Sequence, residues 1–202
     1  MKLYYTPGVC SLAPHIVARE AGLDIALDKV DAATKRTDAG ADFLAVNPNG
    51  YVPALEIEPG CILTEGPAIL QYLADRAPAA KLAPPAGSLA RYELQSWLNF
   101  ITSELHKGFS PLFKAGMPAE AKTLFKDGIG KRFDHVERHL ARHDYLMRDG
   151  FSVADAYLFV VTGWCGFVGI DLHQWPALSA YRARIGARPA VQAALAAEGL
   201  LR

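Results

Sequence analysis

Cys10 lies where a thiol could do chemistry, between a Pro7-Gly8 turn and a stretch with helical spacing. Apolar side chains recur at that spacing from Leu12 onward, so a helix is predicted to begin near Ser11. The unpaired N–H groups and the dipole of a helix N-terminus favour the thiolate form of a cysteine. Cys10 is therefore a candidate nucleophile or thiolate ligand, and a buried structural thiol is the alternative interpretation.

The residue three positions after Cys10 limits which thiol chemistry is open to it. A dithiol oxidoreductase needs Cys-x-x-Cys, but residues 10–13 are Cys-Ser-Leu-Ala. Any disulfide of Cys10 would therefore form with a small thiol. The other two cysteines, Cys61 and Cys165, lie in apolar stretches, so we expect both to be buried.

Two further loops offer backbone groups that can bind a peptide. Pro53 follows Val52 at the start of a predicted strand, where a cis bond would shape the turn and leave the backbone of Val52 to pair with an extended peptide. Glu65 and Gly66 stand at the start of another predicted helix, where backbone N–H groups can hold a carboxylate and Glu65 can hold an ammonium group. Each loop alone is more often structural. Together with Cys10 they indicate a site for thiol, peptide backbone and α-amino acid.

The histidines offer two further possibilities. His106 lies near a helix end, and a single histidine there is more often structural than catalytic. His135, His139 and His143 are spaced four residues apart, a spacing that can chelate a metal on one helix face. A solvated helix face is the better interpretation of that pattern, and we predict no metal.

The order of the predicted elements indicates the fold that must position these residues. Residues 1–77 have the order βαβ-ββα, with Pro59-Gly60 joining the last two strands, which is the thioredoxin-like arrangement. Residues 78–87 are rich in Ala, Pro and Gly and are predicted to be a linker. Residues 88–202 contain helical patterns only. The predicted fold class is an α/β thioredoxin-like domain followed by an all-α domain.

Capping patterns mark where helices of the second half begin. Ser88 can cap the helix that follows it. Ser152 and Asp155 have the spacing of a capping box, and we expect loss of Asp155 to cost about 0.5–2 kcal/mol of stability. Residues 117–144 are predicted to form one long amphipathic helix, weakened at its two glycines.

Composition and charge narrow the class of protein. The 202 residues carry 21 Lys and Arg against 21 Asp and Glu, so the basic surplus needed for non-specific binding to nucleic acid or anionic membranes is missing. The most apolar segment, residues 156–170, is too short to span a bilayer. The balanced charge and the short apolar segment predict that the protein has no nucleic-acid or membrane partner. The sparse cysteines and the lack of a signal-peptide pattern predict that it is cytoplasmic.

The segments that carry these features resemble a known family, the cytosolic glutathione transferases, and within it the bacterial beta class. The similar segments, in order along essentially the whole chain, are YYTPGVCSLAPHI, VNPNGYVPAL, LTEGPAILQYLAD, WLNFITSELHKGFSPLF and FSVADAYLF. The resemblance implies that the first domain binds glutathione and that the helical domain forms the pocket for a hydrophobic electrophile. It also implies a homodimer, because some cleft residues of this class come from the neighbouring subunit.

The resemblance implies roles for ten residues. Cys10 matches the cysteine of the class, which can form a mixed disulfide with glutathione, and His106 is implied to assist it in catalysis. Val52, before the cis Pro53, is implied to pair with the cysteinyl backbone of glutathione. The other implied glutathione contacts are Lys35 at the glycyl end, Glu65 and Gly66 at the γ-glutamyl end, and Asn99, Ser103, Glu104 and His106 in the same cleft. Position 66 has Gly where many transferases have Ser, so only its backbone N–H can bind.

Two functions compete. The first is a glutathione transferase that adds glutathione to small hydrophobic electrophiles and uses Cys10 for thiol–disulfide exchange or reductive dehalogenation. The second is a non-catalytic protein of the same fold that binds a ligand or docks to a partner. The complete set of implied glutathione contacts favours the enzyme. The aromatic residues that either line the electrophile pocket or belong to the core are Phe109, Phe113, Trp164 and Phe167.

Overall fold

The computed structural model describes residues 1–201, which divide into two compact units. The first unit comprises Met1–Ala83 together with the described residues from Arg188 onward, and the second comprises Pro84–Ala187. The sequence-based division assigned residues 88–202 to a helical domain, whereas the last helix packs within the first unit. Arg188, just before that helix, forms a bidentate ion pair with Glu20, with N–O distances of 2.6 and 2.9 Å.

A four-stranded sheet lies at the centre of the first unit. The strands are β1 (Lys2–Tyr5), β2 (Ala26–Lys29), β3 (Ala54–Glu58) and β4 (Cys61–Thr64), in the order β2-β1-β3-β4. β1 runs parallel to β2 and antiparallel to β3, so that Leu3 pairs with Leu27 on one side and Leu55 on the other. β3 and β4 form the predicted hairpin. This order confirms the predicted thioredoxin-like arrangement.

Helices make up most of the remaining structure. The α-helices are α1 (Leu12–Glu20), α2 (Gly66–Arg76), α3 (Leu89–Phe100), α4 (Lys107–Phe109), α5 (Ala119–Leu140), α6 (Val153–Thr162), α7 (Cys165–Val168), α8 (Pro176–Gly186) and α9 (Pro189–Ala197). A π-helical segment, Ile101–His106, joins α3 to α4. Short 3₁₀ turns span Phe43–Ala45, Pro78–Ala80, Ser110–Phe113 and Leu172–Gln174.

The core of the first unit forms where α1 packs against α2 and α9. The apolar positions of α1 that predicted the helix, including Ile16 and Val17, are fully buried. Pro67 lies in the first turn of α2, where its missing N–H removes no intrahelical bond. The α-helix that carries Cys10 at its N-terminus is therefore held by its apolar face.

The second unit is built around α6, which is buried along its whole length because its sequence is almost entirely apolar. The capping box of Ser152 and Asp155 is present at its start, and the Oγ of Ser88 caps α3 by accepting from the N–H of Arg91 at 3.2 Å. Both predicted caps are thus confirmed. α5 continues without a break through both of its glycines. Across residues 1–201, no helix combines the length and the apolar character needed to cross a membrane.

Candidate functional site

Cys10 lies one residue before the N-cap of α1, at the helix N-terminus where the sequence predicted it. The loop that carries Cys10 is closed by Ser11, whose Oγ accepts from the Thr6 N–H and donates to the Thr6 carbonyl, both at 3.1 Å. The Cys10 side chain is partly buried, and its Sγ donates to the carbonyl oxygen of Val52 at 3.3 Å. The structure therefore brings together the candidate nucleophile and the candidate peptide-binding backbone.

The peptide bond between Val52 and Pro53 is cis. The preceding turn is held by the buried Asn47, whose side-chain amide donates to the Tyr51 carbonyl at 2.7 Å and accepts from the Asn49 N–H at 3.2 Å. A buried polar side chain that meets its hydrogen-bonding needs in this way fixes a loop strongly. The loop presents the backbone of Val52 beside Cys10.

Lys35 and Glu65 both have positive φ angles, of 56° and 69°. Such angles are uncommon for residues other than glycine, and they concentrate at functional sites. Lys35 is held by backbone hydrogen bonds to Asp31 and Phe43, and its Nζ lies 5.9 Å from the centre of the Tyr51 ring. The side chain of Glu65 is exposed and does not cap α2, so its carboxylate is available to a ligand.

A buried network behind the Cys10 loop was not predicted. The Glu198 carboxylate, at the end of α9, accepts from the Gly8 N–H at 3.0 Å and is 2.8 Å from Nδ1 of His15. Because the Nε–H of Arg19 donates to Nε2 of His15 at 2.9 Å, His15 carries its proton on Nδ1 and donates it to Glu198. Glu198 therefore anchors both the loop before Cys10 and the helix after it. No local sequence pattern links residues so far apart in the chain.

The four candidate residues of the second unit lie on α3 and the π-helical segment that follows it. Asn99 and Ser103 are exposed, and the Oγ of Ser103 donates to the Asn99 carbonyl at 2.9 Å. Glu104 forms an ion pair with Arg132 at 2.8 Å. A π-helical turn inserts an extra residue into the helix and so changes which face each side chain occupies, a feature common at functional sites. The contribution of these residues to glutathione binding stays a prediction.

His106 ends the π-helical segment and is packed among aromatic rings. Its Nδ1 lies 2.6 Å from the hydroxyl of Tyr157, and its ring centre lies 4.9 Å from that of Trp164. Burial, with a smaller effect of the nearby Lys107 charge, lowers the pKa of His106 from 6.5 to about 4. His106 is therefore neutral at pH 7 and serves there as a hydrogen-bonding group.

Acid is expected to destabilise the protein through His106. Its pKa is about 6.5 in an unfolded chain and about 4 in the folded protein, so between these values the unfolded state binds a proton that the folded state does not. The free energy of unfolding should therefore fall by about 1.4 kcal/mol per pH unit as the pH drops through this window. Denaturant unfolding of wild type and His106→Gln across the window measures the difference in slope. Equal slopes for the two proteins would contradict the assignment.

The aromatic residues proposed for the electrophile pocket divide by exposure. Phe109 is fully buried and belongs to the core. Trp164 is 8% exposed and packs edge-on against both Phe109 and Phe113, and Phe113 is 54% exposed. Phe167 is the most exposed of the four, at 82%. Phe113 and Phe167 are therefore the members of this set that a ligand can reach, and the buried Trp164 contacts both Phe113 and His106.

The two remaining cysteines behave differently. Cys165 is buried as predicted, and burial raises its pKa to about 12, so this thiol is unreactive at neutral pH. The prediction that Cys61 is buried is wrong, because this residue begins β4 directly after the hairpin turn and its side chain is exposed. Successive side chains of a β-strand point to opposite faces of the sheet, so an apolar stretch such as this one can have one side in solvent.

The three spaced histidines of α5 and its C-terminal turn lie at least partly in solvent, since His135 is exposed and His139 and His143 are half-buried. His139 stacks on His143 with ring centres 4.4 Å apart, and Trp97 packs against His139 at 4.9 Å and His135 at 5.7 Å. On this partly solvated face the rings also form an aromatic cluster with Trp97 of α3. Within residues 1–201, no group of three or more His, Cys, Asp or Glu side chains is arranged to hold a metal ion.

Comparisons with known proteins agree with this architecture. The protein-family model of the glutathione S-transferase N-terminal domain matches residues 1–75. The family model of the glutathione S-transferase C-terminal domain matches residues 100–189. Glutathione S-transferase GstA of Escherichia coli O157:H7 is 46% identical over 200 residues, covering 99% of this chain and 100% of the relative.

Solved structures agree at the level of the whole chain. A sphingomonad glutathione S-transferase complexed with glutathione is 52% identical with a TM-score of 0.96, and all of both chains is covered. The bacterial beta-class glutathione S-transferase of Sphingomonas chungbukensis is 50% identical, also with a TM-score of 0.96 and full coverage of both chains. The resemblance to the beta class is thus confirmed. The chain belongs to the glutathione S-transferase family.

Proposed function

We propose that this protein is a glutathione transferase that joins the sulfur of glutathione to small hydrophobic electrophiles. The observation that carries the proposal is the hydrogen bond from the Cys10 thiol to the carbonyl of Val52, the residue before a cis proline. This arrangement offers a reactive sulfur and an open backbone to a thiol-containing peptide. The sphingomonad relative, 52% identical over the whole chain, was solved with glutathione.

Each part of glutathione has a proposed partner in the first unit. The backbone of Val52 pairs with the cysteinyl residue, and Cys10 meets its thiol. Glu65 binds the α-ammonium group of the γ-glutamyl end, and the N–H groups at the start of α2, beginning with Gly66, bind its carboxylate. Lys35 binds the glycyl carboxylate. The exposed Glu65 side chain and the positive φ angles of Lys35 and Glu65 support these assignments.

The second unit is proposed to supply the electrophile surface and further glutathione contacts. The exposed Phe113, which packs edge-on against the buried Trp164, suits a flat aromatic substrate. His106 is proposed to donate a hydrogen bond to developing negative charge. Asn99, Ser103 and Glu104 are proposed to line the glutathione cleft, in part from the neighbouring subunit of a homodimer.

Cys10 adds exchange chemistry to conjugation. In disulfide exchange, its thiolate attacks the glutathione sulfur of a mixed disulfide, a new S–S bond forms, and the other thiol leaves and takes up a proton. In dehalogenation, the glutathione thiolate first displaces halide from the ring. Cys10 then attacks that sulfur, and the C–S bond breaks with its electron pair on carbon, which gains a proton. In both reactions a second glutathione thiolate frees Cys10 and leaves as oxidised glutathione.

Steady-state turnover with glutathione and chlorodinitrobenzene tests the proposal. Conjugation that saturates with both substrates is expected, because catalysis rests on positioning and thiolate stabilisation. Binding of glutathione or of hydrophobic ligands without turnover of any electrophile would contradict the enzyme and support the binding protein. Light scattering of the same sample tests the homodimer.

Replacing Gly66 with Ser is expected to tighten glutathione binding. A Cβ added at this position meets no atom of another part of the chain within 4 Å, so there is room for a serine whose hydroxyl can donate to the γ-glutamyl carboxylate. A hydrogen bond to a charged group is worth about 1.5 kcal/mol, which corresponds to a KM for glutathione about tenfold lower at unchanged kcat. Gly66→Ala, which adds the carbon without the hydroxyl, is the matched control. An equal KM in the Ser and Ala variants would refute the γ-glutamyl assignment.

A further inference from the structure

Tyr157 is a buried residue of α6 whose hydroxyl lies within hydrogen-bonding distance of the half-buried His106. The hydroxyl oxygen lies 2.6 Å from Nδ1 of His106, and the side chain of Tyr157 is 2% exposed. The two rings pack edge-on, with centres 5.9 Å apart. Trp164 contacts another part of the same imidazole, with ring centres 4.9 Å apart. The imidazole is thus held by a hydrogen bond and two aromatic contacts.

The direction of this hydrogen bond follows from the chemistry of its partners. A phenolic O–H is a stronger acid than a neutral imidazole N–H, and an imidazole lone pair accepts more strongly than a phenolic oxygen. The Tyr157 hydroxyl therefore donates to Nδ1. A neutral imidazole that accepts at Nδ1 must carry its hydrogen at Nε2. Burial keeps His106 neutral at pH 7 by lowering its pKa to about 4.

We infer that Tyr157 is a positioning residue that holds His106 in the Nε2–H tautomer, so that His106 offers a bound ligand one fixed hydrogen-bond donor at Nε2. The inference rests on the proposed function and deepens it. A fixed donor costs no reorientation when negative charge develops, which is the condition for electrostatic stabilisation of a transition state. A fixed donor role for His106 also differs from a proton-transfer role, because proton transfer would need an imidazole whose protonation state changes near neutral pH.

Tyr157→Phe removes the hydroxyl and keeps the ring. Without the donor to Nδ1, both neutral tautomers of His106 become populated, and the Nδ1–H form offers no donor at Nε2. We expect kcat for conjugation to fall by about twofold with the KM for glutathione unchanged, because about half of the molecules would lack the donor that acts in the transition state. Tyr181→Phe is the matched control, because it also removes a buried tyrosine hydroxyl, here one that donates to Asp155 at 2.9 Å. That control should lose stability and keep kcat.

Nitrogen NMR of the ¹⁵N-histidine-labelled full chain reads the tautomer directly, with His106→Gln used to assign the signals. The wild type should show a protonated Nε2 and an unprotonated Nδ1, and Tyr157→Phe should show a mixture. An Nδ1–H tautomer in an active wild type, or an unchanged tautomer and kcat in Tyr157→Phe, would overturn this inference alone. A wild type that does not turn over glutathione would instead overturn the proposed function.

Discussion

Replacing Cys10 with Ala is expected to reduce glutathione-dependent disulfide exchange to the uncatalysed rate. The exchange step forms a covalent bond to sulfur, and no other thiol at the proposed site can take its place. Cys165 is buried with its pKa raised to about 12, and Cys61 lies at the start of β4, outside the Cys10–Val52 arrangement. Exchange with a glutathionylated peptide, followed by release of oxidised glutathione, measures the loss.

The matched control for this loss is Cys61→Ala, which removes the exposed thiol and should retain the wild-type exchange rate. Cys10→Ala should remain folded, because the hydrogen bond from its thiol to the Val52 carbonyl is weak, worth about 1 kcal/mol. Thermal unfolding of both variants checks this point. Exchange at the normal rate in a folded Cys10→Ala protein would show that the nucleophile is assigned to the wrong residue.

Replacing Asp155 with Ala is expected to cause the largest loss of stability. Its fully buried carboxylate accepts hydrogen bonds from the N–H groups of Leu146 and Ser152 and from the hydroxyls of Ser152 and Tyr181, at 2.8–2.9 Å. Removing the carboxylate leaves these buried hydrogen-bond donors without an acceptor, which costs about 1–3 kcal/mol of stability for each donor. Burial raises the pKa of Asp155, which shows that burying this carboxylate is itself costly and offsets part of the loss.

We therefore expect the free energy of unfolding to fall by about 3–5 kcal/mol and the thermal midpoint by on the order of 10 °C. This exceeds the loss of about 0.5–2 kcal/mol expected for a helix cap alone, because the carboxylate also serves Leu146 and Tyr181. Asp149→Ala, at an exposed aspartate nearby, should change stability by less than about 0.5 kcal/mol. A loss for Asp155→Ala no greater than that of Asp149→Ala would contradict the role of the network.

Local sequence patterns predicted most of the fold because helices, tight turns and helix caps are determined largely by interactions between residues close together in the chain. The spacing of Leu12, Ile16 and Val17 predicted α1, and Pro59-Gly60 predicted the hairpin of β3 and β4. The capping residues Ser88 and Ser152 marked the starts of α3 and α6. Each of these features depends on neighbours within a few residues.

Features that depend on distant residues were not predictable. Glu198 reaches Gly8 and His15 across nearly the whole chain, and α9 packs against α1 within the first unit. The exposure of Cys61 depends on which face of β4 the core covers, which an apolar stretch of this length does not specify. The π-helical segment that carries Glu104 has no compositional signal.

The candidate site was predictable only in part, for the same reason. Cys10 at a helix start and Pro53 at a strand start are local patterns, and the structure brings Cys10 to the carbonyl of Val52. The partners of His106 come from α6 and the residues after it, about fifty positions away, so its neutral state could not be inferred from the sequence. The roles of Lys35 and Asn99 came from the resemblance alone, whereas the role of Glu65 was also indicated by its place at the start of a predicted helix.

The most direct test of the central claim is intact-mass measurement with peptide mapping after incubation with oxidised glutathione, before and after treatment with a reducing thiol. The claim predicts one glutathione adduct, located on Cys10 and reversed by the thiol, because glutathione binds beside this sulfur. The Cys10→Ala protein should acquire no adduct under the same conditions. An adduct found only on the exposed Cys61, or no adduct at all, would contradict the claim that Cys10 meets the sulfur of glutathione.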